Sequence, residues 1–163
     1  MPYLQWLIRI DRKLTALKDL QGMIWADGYA GGALHGPLFA DVPAALRRWQ
    51  RQGLGLSVYS SGSVAAQQLL YGHSSAGDLR SLFGHWFDTR LGAKNESSSY
   101  RAIAEQLTCS PDRVLFISDA NAELVAAKAA GLQVLFSERP GNPQTADDGF
   151  ERIDTFSTLH LLP

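Results

Sequence analysis

Two hydrophobic patterns alternate along this chain. Short apolar runs at residues 54–59, 114–117 and 133–136 have the length of buried strands. Between and around them, apolar residues recur every three or four positions, which is typical of amphipathic helices. The predicted helices cover residues 4–20, 42–52, 63–70, 97–107 and 121–130. Strands that alternate with helices through short connections favour an α/β fold with a doubly wound parallel sheet.

Particular residues mark the predicted helix ends. Asp41 is positioned to cap one helix, with Pro43 in its first turn. Ser97 or Ser98 is positioned to cap another, and Gly131 follows a helix where a C-terminal glycine is common.

The polar and glycine-rich segments predict loops. Residues 28–36 contain four glycines, and residues 138–149 are polar and rich in turn-forming types. A short helix or turn is expected near residues 156–161.

Composition narrows the classes of function. The chain has 163 residues, of which 45% are hydrophobic, so one globular unit with a real core is expected. The formal net charge is -1, which gives no field that would attract nucleic acid or a membrane surface. The single cysteine, Cys109, excludes an intrachain disulfide and is compatible with a reducing compartment, so a cytoplasmic location is expected.

The first candidate site lies where the strand at residues 54–59 meets the next helix. The turn between them reads Ser60-Ser61-Gly62. The first N–H groups of a helix lack internal partners, and the helix dipole there favours negative charge, so this turn is a candidate phosphate site. The open alternative is that these serines only cap the helix and form a turn.

Two further residues extend this candidate site. Asp119 ends the strand at 114–117, and Lys94 lies in the loop at 92–96. Ligands bind at the carboxyl ends of strands in open parallel sheets. Phosphoryl transfer uses hydroxyl donors, a cation and a carboxylate that holds Mg²⁺, and these residues supply all three. The alternatives are that Asp119 caps the next helix and that Lys94 is an ordinary loop lysine.

The surrounding sequence resembles one family. The order of hydroxyl turn, loop lysine and strand-end carboxylate is similar to motifs of the haloacid-dehalogenase-type phosphatases. Longer stretches resemble the enolase-phosphatases (acireductone synthases) of methionine salvage, from about Asp11 onward. They read VYSSGSVAAQQLLYGHSSAGDL, FDTRLGAKNESSSYRAIAEQL, VLFISDANAELVAAKAAGL and RPGNPQTADDGFERIDTFSTLHL. DRKLTALKDLQGMIWADGY and LFADVPAALRRW resemble that family's cap segment and the helix that leads back into the core.

The resemblance implies a fold and an activity. The fold would be a haloacid-dehalogenase-like Rossmannoid core at residues 41–163 with a partial helical cap at residues 1–40. Family members depend on Mg²⁺, enolise 2,3-diketo-5-methylthiopentyl-1-phosphate and remove its phosphate to give an acireductone. The partner implied is therefore a small phosphorylated substrate.

The resemblance also implies residue roles. Ser60 and Ser61 would bind the substrate phosphate, Lys94 would balance its charge, and Asp119 would ligate Mg²⁺. Glu123, one helical turn beyond Asp119, would orient that carboxylate or a metal-bound water.

One family motif is absent from the sequence. The nucleophile and general acid of the family lie in Asp-x-Glu-Gly-Thr-Thr on the first, central strand, and this chain has no such motif. No catalytic residue is therefore assigned, and a truncated or degenerate copy that is inactive by itself is expected. The strands that end at Ser60 and Asp119 would then pair directly or expose two apolar edges.

Several interpretations stay open at this point. The first is an enzyme completed by a longer product or by a chain that supplies the strand. The second is a non-catalytic remnant, which binds a phosphorylated ligand or a partner chain. A receiver-like or flavodoxin-like phosphate binder is a third, but it requires an early strand that ends in aspartate, and none is visible.

Overall fold

The computed structural model describes residues 6, 28, 29, 31, 34–142 and 149–161. Within them the helices are α1 (Val42–Arg51), α2 (Val64–Gly72), α3 (Ser97–Gln106) and α4 (Asn121–Ala129). The strands are β1 (Ser57–Ser60), β2 (His85–Asp88), β3 (Leu115–Ser118), β4 (Gln133–Ser137) and β5 (Arg152–Ile153), with 3-10 turns at Arg80–Leu82 and Pro111–Arg113. The predicted helix at 4–20 lies outside the described residues except for Trp6, and most of the proposed cap segment does too. The predicted loop at 138–149 is described only in part.

The described strands form two parallel sheets. β1 pairs with β2, from Ser57 opposite His85 to Ser60 opposite Asp88. β4 lies between β3 and β5 in the second sheet. The pairs β1–β2 and β3–β4 are each joined through a helix, α2 and α4, as the sequence pattern predicts, so the α/β class is confirmed. Between the described residues of β1 and β3 there is no pairing, so these strands do not close the sheet directly.

This arrangement corrects the prediction of a buried strand at residues 114–117. All four residues of β3 are only partly buried. β4 pairs with one edge of β3, and no described strand lies along the other edge. The apolar run therefore keeps part of its surface exposed, although its composition resembles that of a central strand.

Tyr100 of α3 bridges the two sheets. Its side chain is completely buried, and its ring makes edge contacts with Tyr59 of β1 and Phe116 of β3, at centroid distances of 5.6 and 5.0 Å. Ala126 and Ala127 of α4 belong to the same cluster, and their small side chains let the helix approach the sheet closely. The carboxyl ends of β1 and β3 are thereby held on either side of one aromatic residue.

A second cluster joins α1 to the end of the chain. Trp49 of α1 packs against Phe156, with ring centroids 5.3 Å apart. Arg48 donates hydrogen bonds to the carbonyl oxygens of Phe156 (2.8 Å) and Leu159 (3.1 Å). Residues 154–161 form bends, and no helix is described there. Of the short helix or turn predicted near residues 156–161, the turn is therefore observed. Side-chain donors from α1 satisfy the carbonyls that a helix would have used.

The helix ends test the capping predictions. Asp41 occupies the N-cap of α1, but its carboxylate makes no capping bond there. The prediction that Ser97 or Ser98 caps α3 is wrong, because Glu96 is the N-cap and the helix begins at Ser97. Gly131 lies just beyond α4 with a φ of +94°, so the C-terminal glycine prediction is confirmed.

No helix among the described residues has the length and apolar character needed to cross a bilayer.

Candidate phosphate-binding site

The turn after β1 separates the capping serine from the candidate phosphate ligands. Ser63 is the N-cap of α2, and its hydroxyl accepts a hydrogen bond from the Ala66 amide at 3.2 Å. The Ser60 hydroxyl accepts from the Gly62 amide at 3.1 Å, which shapes the turn. The helix-capping role therefore belongs to Ser63, which lies two residues after Ser61, and not to the serines predicted to bind phosphate.

Asp88 is a residue of this region that the sequence did not single out. It ends β2, is 8% exposed, and accepts hydrogen bonds from the amides of Val64 (3.3 Å) and Arg90 (2.9 Å). The first turn of α2 therefore already faces a carboxylate from the neighbouring strand. The only signal in the sequence is an aspartate after an apolar pair, which is too common to indicate a site.

Lys94 lies between the carboxyl ends of β1 and β3. Its ammonium group is 5.7 Å from the ring centroid of Tyr59 and 6.0 Å from that of Phe116. It forms an ion pair of 2.6 Å with Glu123 of α4, and the two side chains are 21% and 18% exposed. The structure thus places this lysine beside β1, β3 and α4.

Glu123 has a different set of contacts from the expected one. Besides Lys94, its carboxylate accepts a hydrogen bond from the Ser118 hydroxyl at 2.8 Å. Glu123 is therefore paired with the lysine and with Ser118.

Tyr100 fixes the backbone of the lysine loop. Its hydroxyl donates a hydrogen bond of 2.6 Å to the carbonyl oxygen of Lys94. Burial raises the pKa of Tyr100, and the negative charge of Glu123 raises it further. The phenol therefore stays protonated at neutral pH and keeps this donor in place.

Asp119 directly follows β3 and its side chain is exposed. The N-cap of α4 is Ala120, which rules out the interpretation of Asp119 as the helix cap. Ser118 accepts the Ala120 amide at 3.2 Å instead.

The described residues do not by themselves fit a Mg²⁺ site. Among them, no group of three or more histidine, cysteine, aspartate or glutamate side chains is arranged to hold a metal ion. Glu123 is already paired with Lys94, so Asp119 is the single available carboxylate at the end of β3. Mg²⁺ requires octahedral coordination by several oxygen ligands, which one carboxylate cannot supply.

Comparison with known families gives a match over most of the chain. Residues 4–131 match the family described as haloacid dehalogenase-like hydrolase. Over 145 residues the chain is 63% identical to the enolase-phosphatase E1 of Synechococcus sp. (strain RCC307), which covers 89% of this chain and 58% of that protein. It is 50% identical over 163 residues to the enolase-phosphatase E1 of Drosophila melanogaster, of which it covers 64%. The chain thus spans about three fifths of the length of these relatives.

Solved structures give the same fold. The Unknown transcript 4 protein of Saccharomyces cerevisiae superposes with a TM-score of 0.85 at 34% identity, covering 97% of this chain and 73% of that chain. CbbY from Rhodobacter sphaeroides, solved in complex with phosphate, superposes with a TM-score of 0.70 over 88% of this chain and 62% of that chain. At 22% identity, the second likeness concerns the fold alone.

Proposed function

We propose that this chain forms part of an acireductone synthase. It belongs to the haloacid dehalogenase-like hydrolases and within them to the enolase-phosphatase E1 family. The reaction would be enolisation and dephosphorylation of 2,3-diketo-5-methylthiopentyl-1-phosphate, within methionine salvage. The observation that carries the proposal is the position of Lys94, whose ammonium group lies 5.7 Å from the ring centroid of Tyr59 in β1 and 6.0 Å from that of Phe116 in β3. This partly buried cation lies beside β1, the strand that leads into the turn at residues 60–62.

In this proposal Ser60 and Ser61 bind the substrate phosphate. Their hydroxyl groups lie at the end of β1, before the N-terminus of α2, where the helix dipole favours an anion. Lys94 balances the charge of the phosphate and shares its own charge with Glu123. An ion pair that is partly buried keeps the ammonium group in one place before the ligand arrives.

We also propose Asp119 as one ligand of a Mg²⁺ ion. Asp119 is exposed and directly follows the carboxyl end of β3. The remaining ligands would come from the substrate, water and groups outside the described residues, because the described residues do not complete the site. Mg²⁺ would supply charge neutralisation at the phosphate.

The proposed catalytic unit includes a strand between β1 and β3. Both strands have one edge without a described partner, and Tyr100 spans the space on the helix side. A parallel strand supplied by another segment or another chain would pair with both edges. The residues proposed here bind phosphate, and the attacking carboxylate is assigned to that strand.

The same proposal includes a division of the chain into a cap at residues 1–40 and a core at residues 41–163. It also includes a cytoplasmic location, which is compatible with the free Cys109.

Phosphate titration followed by amide NMR tests the binding part. The amides of residues 61–64 should shift at millimolar phosphate, and Ser61→Ala should weaken the response. Ser98→Ala is the matched control, since Ser98 is an exposed serine in the first turn of α3. If the amides of residues 61–64 of the unaltered chain do not respond, the proposed phosphate site is wrong.

A turnover assay tests the catalytic part. The 163-residue chain, given Mg²⁺ and a phosphomonoester, should release no phosphate above background. Addition of a peptide that carries the family's Asp-x-Glu strand should restore turnover, and Lys94→Met should abolish the restored activity. Turnover by the chain alone would contradict the assignment of the nucleophile to another segment.

A further inference from the structure

We infer that Gln67 and Asp88 are positioning residues that hold the phosphate turn in its binding shape. This inference rests on the proposed function of the Ser60-Ser61-Gly62 turn. We call the two residues the turn clamp. Neither is predicted to touch the substrate, and both connect the turn to the carboxyl end of β2.

Gln67 holds one side of the turn. It lies in α2, is 5% exposed, and its amide nitrogen donates to the carbonyl oxygens of Gly62 (2.9 Å) and Phe87 (2.8 Å). One buried amide group therefore ties the turn to β2. Without it, these two carbonyl oxygens would each lose a hydrogen bond in a buried setting.

The same side chain carries a cost that argues for a specific role. The amide oxygen of Gln67 is buried and makes no hydrogen bond to any described residue. An apolar residue of similar length would fill the space without that cost. What only the amide provides is the pair of donated bonds to Gly62 and Phe87.

Asp88 holds the other side of the turn. It follows Phe87 in β2 and accepts a hydrogen bond from the Val64 amide, the first N–H of α2. Gly62 and Val64 flank the N-cap Ser63, so the clamp fixes the backbone on both sides of the cap. β1 pairing, with Ser60 opposite Asp88, restrains the start of the turn.

Asp88 also places a negative charge beside the proposed anion site. Its carboxylate and a bound phosphate would face the same helix N-terminus and repel each other. The position of Asp88 therefore sets phosphate affinity as well as turn shape. Asparagine removes the charge and retains one oxygen that can accept the Val64 amide, while the hydrogen bond from the Arg90 amide, which lies outside the turn, is lost.

The first experiment compares Gln67→Met with Leu124→Ala. Methionine has a similar length but no donor, and Leu124 is a fully buried residue of α4, a helix separate from α2 and β2, which carry the turn clamp. Backbone NMR order parameters at residues 61–63 are measured without ligand, followed by titration with inorganic phosphate. We expect Gln67→Met to lower the order parameters of the turn and to weaken phosphate binding at least fivefold. Leu124→Ala should lower stability while leaving both unchanged.

The second experiment uses Asp88→Asn and Asp88→Ala. Asparagine should leave the turn ordered and tighten phosphate binding about two- to fivefold, the range expected for removing one charge at a helix end. Alanine should lower the order parameters at residues 61–63. If Gln67→Met does not fold, the order parameters of Asp88→Ala test the turn clamp instead.

The outcomes separate the clamp from the proposed function. Unchanged order parameters in both Gln67→Met and Asp88→Ala would overturn the inference, as would a disordered turn that binds phosphate as tightly as before. If the unaltered chain binds no phosphate, the proposed function fails at this site. The clamp is then judged by the order parameters alone, because they require no ligand.

Discussion

At the scale of single residues, two ion pairs organise different parts of the molecule. Lys94 and Glu123 meet beside the candidate site, whereas Arg139 and Asp41 meet beside α1. Arg139 is 8% exposed, and its guanidinium group donates two hydrogen bonds to Asp41 at 3.1 and 2.8 Å. Thr155 and the Phe156 amide also donate to this carboxylate, so it joins α1 to the end of the chain.

The lowered pKa of Asp41 predicts that the free energy of unfolding decreases in acid. Burial raises the pKa of Asp41, but the hydrogen bonds from Arg139, Phe156 and Thr155 outweigh it and lower the pKa from 3.8 to about 2. The folded state thus favours the charged form. Its stabilisation, on the order of 2 kcal/mol, is present above pH 4 and is lost as the pH falls from about 4 to about 2.

Urea unfolding at several pH values measures this effect. Asp41→Asn should flatten the pH dependence in that window and lower the stability at pH 7. Asp112→Asn, which removes an exposed carboxylate in a 3-10 turn, serves as the control. An unchanged pH profile in Asp41→Asn would show that other carboxylates govern acid unfolding.

Lys94→Met should weaken phosphate binding by about 10- to 100-fold, since hydrogen bonds to charged groups contribute about 1.5–3 kcal/mol. Methionine preserves the length of the stem but leaves Glu123 without its cation, so stability should fall as well. Isothermal titration with phosphate and urea unfolding measure the two effects. Lys94→Arg should retain most of the affinity. Lys128→Met, at an exposed lysine of α4, should bind phosphate normally.

At the scale of elements, local signals predicted some boundaries well and failed at others. Ser63 and Gly131 lie where the sequence placed a helix start and a helix end, because a capping hydroxyl and a left-handed glycine act within a few residues. At α3 the same reasoning predicted Ser97 or Ser98 as the N-cap, but Glu96 occupies that position. The Ser99 hydroxyl instead donates to the Ala93 carbonyl at 2.7 Å, so this serine of the first helical turn binds the preceding loop.

Gly131→Ala tests the turn after α4. An alanine at a φ of +94° is strained, and its Cβ atom would lie 3.3 Å from the Cβ atom of Pro111. The expected loss of stability is roughly 1–2 kcal/mol. Gly55→Ala is the matched control, because nothing lies within 4 Å of its added carbon and its φ is not positive. Equal unfolding midpoints for the two variants would contradict this account of the turn.

At the scale of the whole molecule, one aromatic residue connects the two sheets. Tyr100 contacts Tyr59 in one sheet and Phe116 in the other, and its hydroxyl holds the Lys94 loop. The described edges of β1 and β3 do not pair, so side-chain packing of α3 and α4 determines how the two halves of the candidate site face each other.

Tyr100→Ala should destabilise the fold by about 3–5 kcal/mol, the range for removal of a large buried ring. Tyr100→Phe keeps the ring contacts and loses only the bond to the Lys94 carbonyl, so about 1 kcal/mol is expected. Tryptophan fluorescence and far-UV circular dichroism during urea unfolding measure both variants. A Tyr100→Ala protein as stable as Tyr100→Phe would show that the sheets are joined elsewhere.

The sequence by itself determined the kinds of element and the serine turn of the candidate site. Hydrophobic periodicity and turn chemistry are local, so residues 60–62 and the α/β alternation were visible without coordinates. It did not reveal β5, whose two residues pair with β4 from within a polar segment. Nor did it reveal Asp88 or Gln67, whose roles depend on which strand end faces which helix.

The tertiary structure alone decided which charges meet. Arg139 and Asp41 are 98 residues apart in the chain, and Lys94 and Glu123 belong to different elements. No periodicity or motif specifies such pairs, because they follow from the packing of α1 against the chain end and of α4 against the sheet. The sequence therefore named the residues proposed to bind phosphate, and the fold determined that Lys94 reaches the strand ends already paired with a carboxylate.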